Sequence, residues 1–277
     1  MLTRPIPSTG EAMPVIGLGT WRAFDVGVGA AARRPLGEVL RLLLDSGGRM
    51  IDSSPMYGRA EAVTGDLLAE TGARARAFLA TKVWTAGRES GISQMQRSAE
   101  LLQTEVIDLI QIHNLVDWRT HLATLRRMKE EGRGGYGYIG ITHYTTGALP
   151  ELARILNSEP GIDFVQLGYS LATRAAEREL LPTASARGVA VIVNQPLERG
   201  TLFRHFRGCA LPDWASECDC LSWAQLFLKY ILAEPAVTCV IPATGNPDHM
   251  NDDLGAGFGR LPDTTQRQQI RQLWDAA

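Results

Sequence analysis

The sequence predicts an α/β protein in which residues 1–277 form one (β/α)8 barrel, the TIM-barrel fold class. Three observations carry this prediction: eight short apolar runs, helical segments between them, and a length of 277 residues, which suits one barrel domain. The runs are continuously apolar rather than alternating, which is typical of parallel strands buried on both faces. An open, doubly wound sheet also alternates strands and helices. It seldom has eight evenly spaced units, and no Gly-x-Gly-x-x-Gly motif follows the first run.

The elements follow from the spacing of apolar residues along the chain. The predicted strands are Val15–Trp21, Arg49–Ser53, Ala77–Trp84, Val106–His113, Tyr136–Thr142, Ile162–Leu167, Val189–Asn194 and Val237–Pro242. Helical spacing predicts helices at Leu36–Ser46, Ala60–Thr71, Ser93–Gln103, Leu122–Glu131, Gly147–Leu156, Ala175–Ala186 and Ser222–Leu232. This alternation indicates right-handed crossovers around a closed parallel barrel.

Four segments lie outside the repeating units. Residues 1–14 are expected to form a small hairpin or a plug at one end of the barrel. The long stretch Gln195–Leu221 follows the seventh strand, and a loop of this length in a compact domain usually serves function. Asn246–Gly255 is predicted to be a helix with Pro247 at its first position, and Gln266–Trp274 a final surface helix.

Composition narrows the class of function. The formal net charge of −2 argues against a dedicated nucleic-acid-binding protein, and no run of 18 apolar residues predicts a membrane span. No secretory signal is recognised, so we expect a cytoplasmic protein whose four cysteines are reduced. Cys218 and Cys220 are too close together and too isolated to predict a zinc site, and no metal is expected.

Ionisable residues stand at the ends of three predicted strands, where barrel active sites lie. Asp52 ends the second strand with Tyr57 in the loop after it, Lys82 ends the third, and His113 ends the fourth. Taken alone, Asp52 is explained as a turn cap, Tyr57 as a surface aromatic and His113 as a core histidine. Lys82 is the hardest of the four to explain structurally, because a buried lysine is costly without a partner such as Asp52.

Together these side chains suggest proton donation. The positive charge of Lys82 is expected to lower the pKa of the Tyr57 phenol, while Asp52 keeps the lysine charged. The phenol would then act as an acid toward a carbonyl oxygen oriented by His113. No Gly-x-Ser-x-Gly elbow or His-Glu-x-x-His cluster indicates hydrolysis, so this set requires a hydride source.

At these residues the sequence resembles the aldo-keto reductases over almost its whole length. The segments that carry the resemblance are Met13–Trp21 (MPVIGLGTW), Ile51–Gly58 (IDSSPMYG), Ala80–Trp84 (ATKVW) and Ile110–His113 (IQIH). The resemblance implies that Tyr57 is the general acid, that Lys82 and Asp52 tune it, and that His113 positions the substrate.

The resemblance also implies that NADP(H) or NAD(H) binds extended across the barrel rim, and the family's habit favours NADP(H). The implied cofactor residues are Gly19, Thr20, Trp21, Thr142, His143, Gln166, Asn194, Gln195, Pro196, Leu197, Gly200, Leu202, Ile241, Ala243, Thr244, His249, Asp252 and Asp253. Thr142 and His143 replace the family's Ser-Asn pair, and Asn194 replaces an aromatic that stacks on the nicotinamide. Asp253 replaces an asparagine on the adenine side.

The segment after the eighth strand lacks the arginine or lysine with which NADP(H)-preferring members bind the 2′-phosphate. Thr244, Arg204 and Arg207 are candidate replacements. Trp21, Trp84 and Trp118 are implied to line a substrate pocket suited to aldehydes or hydrophobic ketones.

Three functions are therefore considered. The leading hypothesis is an oxidoreductase that transfers a hydride between NADP(H) or NAD(H) and an aldehyde or ketone, or the corresponding alcohol. The alternative is a nicotinamide-binding regulatory or sensor protein with little turnover, motivated by the altered residues Thr142, His143 and Asn194. A third is an unrelated barrel hydrolase or isomerase.

Overall fold

Eight parallel strands follow one another in chain order around a barrel. The computed structural model describes residues 1–132 and 135–276. Strands β3 to β10 each pair in parallel with the next along the chain. A bridge between Ile16 and Val240 joins the first barrel strand to the last, and the amide of Gly17 donates to the carbonyl of Val240 at 2.9 Å. The predicted (β/α)8 class is confirmed.

The strands are β1 Thr3–Pro5, β2 Ala12–Pro14, β3 Leu18–Gly19, β4 Met50–Asp52, β5 Phe78–Val83, β6 Ile107–His113, β7 Tyr136–His143, β8 Phe164–Gly168, β9 Ala190–Asn194 and β10 Val237–Val240. The helices are α1 Ala30–Asp45, α2 Ala60–Glu70, α3 Arg88–Leu101, α4 Trp118–Glu130, α5 Leu149–Ser158, α6 Leu180–Ala186, α7 Leu202–His205, α8 Trp223–Leu232, α9 Pro247–Gly255 and α10 Thr264–Asp275.

Each predicted strand has its counterpart, and the differences lie at the ends of elements. β3 is shorter than predicted and comprises only Leu18 and Gly19, although the amide and hydroxyl of the next residue, Thr20, still donate to the carbonyl of Asp52. The helix predicted at 175–186 is divided into a 3-10 turn at Ala175–Arg178 and α6. Glu179, at φ −140° and ψ −54°, lies outside the helical region between them.

The N-terminal hairpin closes the bottom of the barrel, as the sequence predicts. β1 and β2 pair antiparallel, and Ile6 and Met13 are fully buried against inward side chains such as Phe78 and Phe164. This apolar contact fills the end of the barrel opposite the carboxyl ends of the strands. No helix in the described parts of the chain has the length and apolar character needed to cross a membrane.

The long segment after β9 is folded against the barrel rather than extended. It contains 3-10 turns at Glu198–Gly200 and Asp213–Cys218 with α7 between them. Phe206 stacks on Trp223 of α8, with ring centroids 4.3 Å apart and an interplanar angle of 24°. This packing holds the segment over the rim on which β9 ends.

Candidate active site

A buried ion pair lies at the carboxyl ends of β4 and β5. The Nζ atom of Lys82 is 2.6 Å from Oδ2 of Asp52 and also donates to the carbonyl of Ser53 at 2.7 Å. Lys82 is completely buried and Asp52 is 2% exposed. Burial acts to lower the pKa of Lys82, but the charges of Asp52 and Tyr57 outweigh it, so the pKa is raised and the lysine remains an ammonium.

Two glutamines complete the hydrogen bonding of Asp52. Its Oδ1 atom accepts from Nε2 of Gln111 and from Nε2 of Gln166, each at 2.9 Å. Both carboxylate oxygens are thus matched by donors, which a buried charge requires. Sequence reasoning named Gln166 for another role and missed Gln111. The available signal was a polar residue inside an apolar strand, two positions before His113 and hence on the same face.

Tyr57 lies in the loop after β4, with the Lys82 ammonium 5.2 Å from the centroid of its ring. Burial is the largest influence on its pKa and raises it; the charge of Lys82 lowers it and that of Asp52 raises it again. The net effect is a raised pKa, so the expected lowering was wrong. Burial, which the sequence does not reveal, outweighs the ammonium. The phenol therefore holds its proton at neutral pH.

His113 is a neutral imidazole beside Tyr57. Their ring centroids are 6.0 Å apart with the planes at 86°, and Nδ1 of His113 is 3.1 Å from the hydroxyl oxygen of Ser54. Burial first, then the charges of Lys82 and His143, lower the pKa of His113 to about 3. A neutral imidazole has one N–H to donate, and Ser54 influences which nitrogen carries it.

A cavity of about 940 Å³ opens above this cluster and runs along the rim to α9. Most of the sequence-predicted site residues line it: Gly19, Trp21, Asp52, Tyr57, His113, Thr142, Gln166, Asn194, Gln195, Pro196, Leu197, Gly200, Ile241, Ala243, Thr244, His249, Asp252 and Asp253. Its size suits a ligand larger than a simple carbonyl compound.

The other predicted cofactor residues are not among the residues that line the cavity: Thr20, His143 and Leu202. Lys82 does not line it either; its ammonium contacts Asp52 and lies 5.2 Å from the centroid of the Tyr57 ring. Thr20 and Leu202 are fully buried. Nδ1 of His143 accepts from the amide of Thr145 at 3.2 Å.

Of the predicted substrate tryptophans, only Trp21 lies among the side chains that line the cavity. Trp84 is 42% exposed at the rim, its ring centroid 6.4 Å from that of His113. Trp118 begins α4 and is packed in the core, with the guanidinium of Arg119 4.4 Å from its ring centroid. The structure does not bring Trp118 to the cavity, because the helix starts four residues earlier than predicted.

Several cavity residues were not predicted. Arg22 and Arg199 lie over the ring of Trp21, with Cζ atoms 4.5 Å and 4.6 Å from its centroid. Both residues adopt a left-handed backbone, at φ +61° and +54°. Arg204 and Arg207, proposed from the sequence as phosphate ligands, are not among the lining residues, whereas Arg199 is. Tyr144 also lines the cavity.

The cavity residues beside Gln166 fit a nicotinamide group. Nδ2 of Asn194 donates to Oε1 of Gln166 at 3.0 Å, while its Oδ1 atom is buried and finds no donor in the described residues. A primary carboxamide has both a donor and an acceptor, so it can supply the missing hydrogen bond. Thr142 adds a hydroxyl to the same wall.

Comparison with known proteins agrees with this geometry. Residues 15–275 match the model of the aldo/keto reductase family, so the chain belongs to that family. It is 27% identical over 249 residues to methylglyoxal reductase YeaE of Escherichia coli (strain K12), covering 87% of this chain and 84% of the relative. It is also 27% identical over 234 residues to glyoxal reductase of Bacillus subtilis (strain 168), covering 83% and 78%.

A solved structure of similar shape is the Klebsiella pneumoniae aldo-keto reductase in complex with NADPH. The TM-score is 0.81 at 26% identity, and the match covers 99% of this chain and 96% of that one.

Proposed function

We propose that this protein is a nicotinamide-dependent reductase of small aldehydes and ketones, with Tyr57 as the proton donor. The observation that carries the proposal is the placement of Tyr57 and His113 on one cavity wall above the buried Lys82–Asp52 ion pair. The names of the relatives and the NADPH complex of the similar structure support NADP(H) as the first cofactor to test and 2-oxoaldehydes as the first substrates.

His113 orients the carbonyl group. The amide of Met56 donates to Oγ of Ser54 at 3.4 Å, which leaves the Ser54 hydrogen free for Nδ1 of His113. The imidazole proton then resides on Nε2 and donates to the substrate oxygen. With a pKa of about 3, His113 keeps this form throughout the working range of pH.

Tyr57 supplies the proton. When bound, the nicotinamide supplies a hydride to the carbonyl carbon. Tyr57 then gives its phenolic proton to the carbonyl oxygen, completing the alcohol, and the Lys82 ammonium stabilises the resulting phenolate. Asp52, held by Gln111 and Gln166, keeps Lys82 charged and fixed in place.

The proposal is tested with Tyr57→Phe and the matched control Tyr138→Phe. Tyr138 lies at the other end of the barrel, where its hydroxyl donates to Glu11 at 2.7 Å. With methylglyoxal and NADPH, Tyr57→Phe should lower kcat/KM by about 10²–10⁴-fold while cofactor binding persists, and the control should stay near wild type. Near-full turnover by Tyr57→Phe would reject Tyr57 as the acid. Tight cofactor binding by the wild type with no turnover of any carbonyl in a broad panel would favour the regulatory alternative.

A further inference from the structure

Trp84 stands at the mouth of the active site without the packing that fixes a core side chain. It follows the last residue of β5, is 42% exposed, and belongs to neither apolar core in the described parts of the chain. Its ring centroid lies 6.4 Å from that of His113, with the ring planes at 58°. Because burial does not hold the indole, its position depends on how firmly its main chain is anchored.

The side chain of Gln94, on α3, anchors that main chain. Its Oε1 atom accepts from the amide of Trp84 at 2.5 Å, and its Nε2 atom donates to the carbonyl of Trp84 at 3.2 Å. The carboxamide thus bonds to both main-chain groups of one residue, as a neighbouring strand would. A carboxamide can do this because it presents a donor and an acceptor side by side without a charge.

The rest of the connection from β5 to α3 is held by side chains at the start of α4. Nε2 of His121 donates to the carbonyl of Thr85 at 2.6 Å, and Oδ2 of Asp117 accepts from the amide of Gly87 at 2.8 Å. These contacts do not involve Gln94. Loss of the Gln94 side chain should therefore release Trp84 while the residues after it stay in place.

The rim beside Trp84 exposes further apolar side chains. Met56 and Tyr144 are both exposed, and they line the cavity together with His113. In the proposed function, on which this inference rests, His113 orients the substrate carbonyl. A bulky substituent on that carbonyl is then within reach of the Trp84 indole, and an aromatic substituent gains the most from contact with it.

We propose that Gln94 is a positioning residue for substrate recognition, which holds the main chain of Trp84 so that the indole packs against an aromatic substituent of the carbonyl substrate. Without Gln94, the amide and carbonyl of Trp84 bond to water and the indole is no longer restricted to one place. Binding an aromatic substituent then requires the indole to be ordered, which weakens binding without altering the step at the carbonyl.

The test compares two 2-oxoaldehydes, phenylglyoxal and methylglyoxal, with NADPH as cofactor. Gln94→Leu removes both hydrogen bonds to Trp84 and keeps a side chain of similar size. The KM for phenylglyoxal should rise about 3- to 10-fold, which is the contribution of an aromatic contact converted to a ratio. The KM for methylglyoxal, and kcat for both substrates, should stay within about 2-fold of wild type.

A double-mutant cycle tests whether Gln94 acts through Trp84. Trp84→Ala should raise the KM for phenylglyoxal by itself, and adding Gln94→Leu to it should cause no further rise, because the side chain that Gln94 positions is already gone. Gln96→Leu, the same change at an exposed position of α3, is the matched control and should keep wild-type kinetics on both substrates. Turnover of methylglyoxal by each variant shows that it is folded.

The outcomes separate this inference from the proposed function. An unchanged KM for phenylglyoxal in Gln94→Leu, an equal loss of activity on both substrates, or independent effects of Gln94→Leu and Trp84→Ala would overturn the inference alone. Failure of the wild type to reduce either 2-oxoaldehyde, or any other carbonyl in a broad panel, would overturn the proposed function and the inference with it.

Discussion

Removing the cation of the buried ion pair should destabilise the protein in a way that depends on pH. In Lys82→Met the methylene stem is approximately replaced, while Asp52 remains 2% exposed with only the amide donors of Gln111 and Gln166. Breaking a buried pair on one side typically costs about 3–5 kcal/mol, because the remaining charge is uncompensated. We expect a loss of that size in the free energy of unfolding at about pH 8.

The stability lost in Lys82→Met should depend on pH. Without Lys82 the buried charge of Asp52 is uncompensated in the folded variant, and protonating the carboxylate at low pH removes that charge. Its deficit is therefore greatest at alkaline pH and shrinks as the pH falls toward 4. The double variant Asp52→Asn/Lys82→Met contains no uncompensated charge and should recover to within about 2 kcal/mol of the wild type.

Urea unfolding followed by circular dichroism at about pH 5 and about pH 8 measures the free energy of unfolding of the wild type, the single variant and the double variant. The reasoning is refuted if Lys82→Met lies within about 1 kcal/mol of the wild type at the higher pH. It is also refuted if the double variant is no more stable than the single one.

Three further outcomes are expected. The kcat/KM for carbonyl reduction should stay flat from about pH 5 to about pH 8, because the His113 pKa is about 3 and that of Tyr57 is raised; a step near pH 6.5 would contradict this. Asp253→Asn should stabilise the cofactor-free protein by about 2 kcal/mol or more at pH 8, with the gain vanishing toward pH 4, as thermal melting would show. Trp118→Ala should cost about 3–5 kcal/mol of stability with little change in substrate KM, whereas Trp84→Ala should change KM with little loss of stability. Equal KM effects of the two would contradict their placement.

The predictions that succeeded depend on period and position along the chain. Apolar runs at a constant interval predict the barrel, and a residue such as Lys82 at the end of such a run must reach the rim whatever the helices do. The residues that the sequence analysis missed are brought to the site by contacts between segments far apart in the chain. Gln111 is identified as a partner of Asp52 only by the register of neighbouring strands, and Arg199 reaches Trp21 only through the path of the long segment after β9.

The wrong expectation for Tyr57 has a related cause. The sequence identifies the charged neighbours of Tyr57. Burial has the larger effect on the pKa of this phenol, and it depends on all the segments that pack around the barrel rim. Trp118 was misplaced because the start of α4 is four residues from where apolar spacing indicated it.

Asp52 and Asp253 both line the cavity, and their electrostatic surroundings are opposite. Asp52 contacts Lys82 and two amide donors, so its charge is matched, whereas within residues 1–132 and 135–276 the only charge acting on Asp253 is the like charge of Asp252. Over the range in which Asp253 titrates, the ion pair beneath Tyr57 should not change. Raising the pH from about 7 to about 9 should therefore leave kcat at saturating cofactor constant. A fall in kcat with an unchanged KM would place the titrating group beside the reacting atoms and contradict this division.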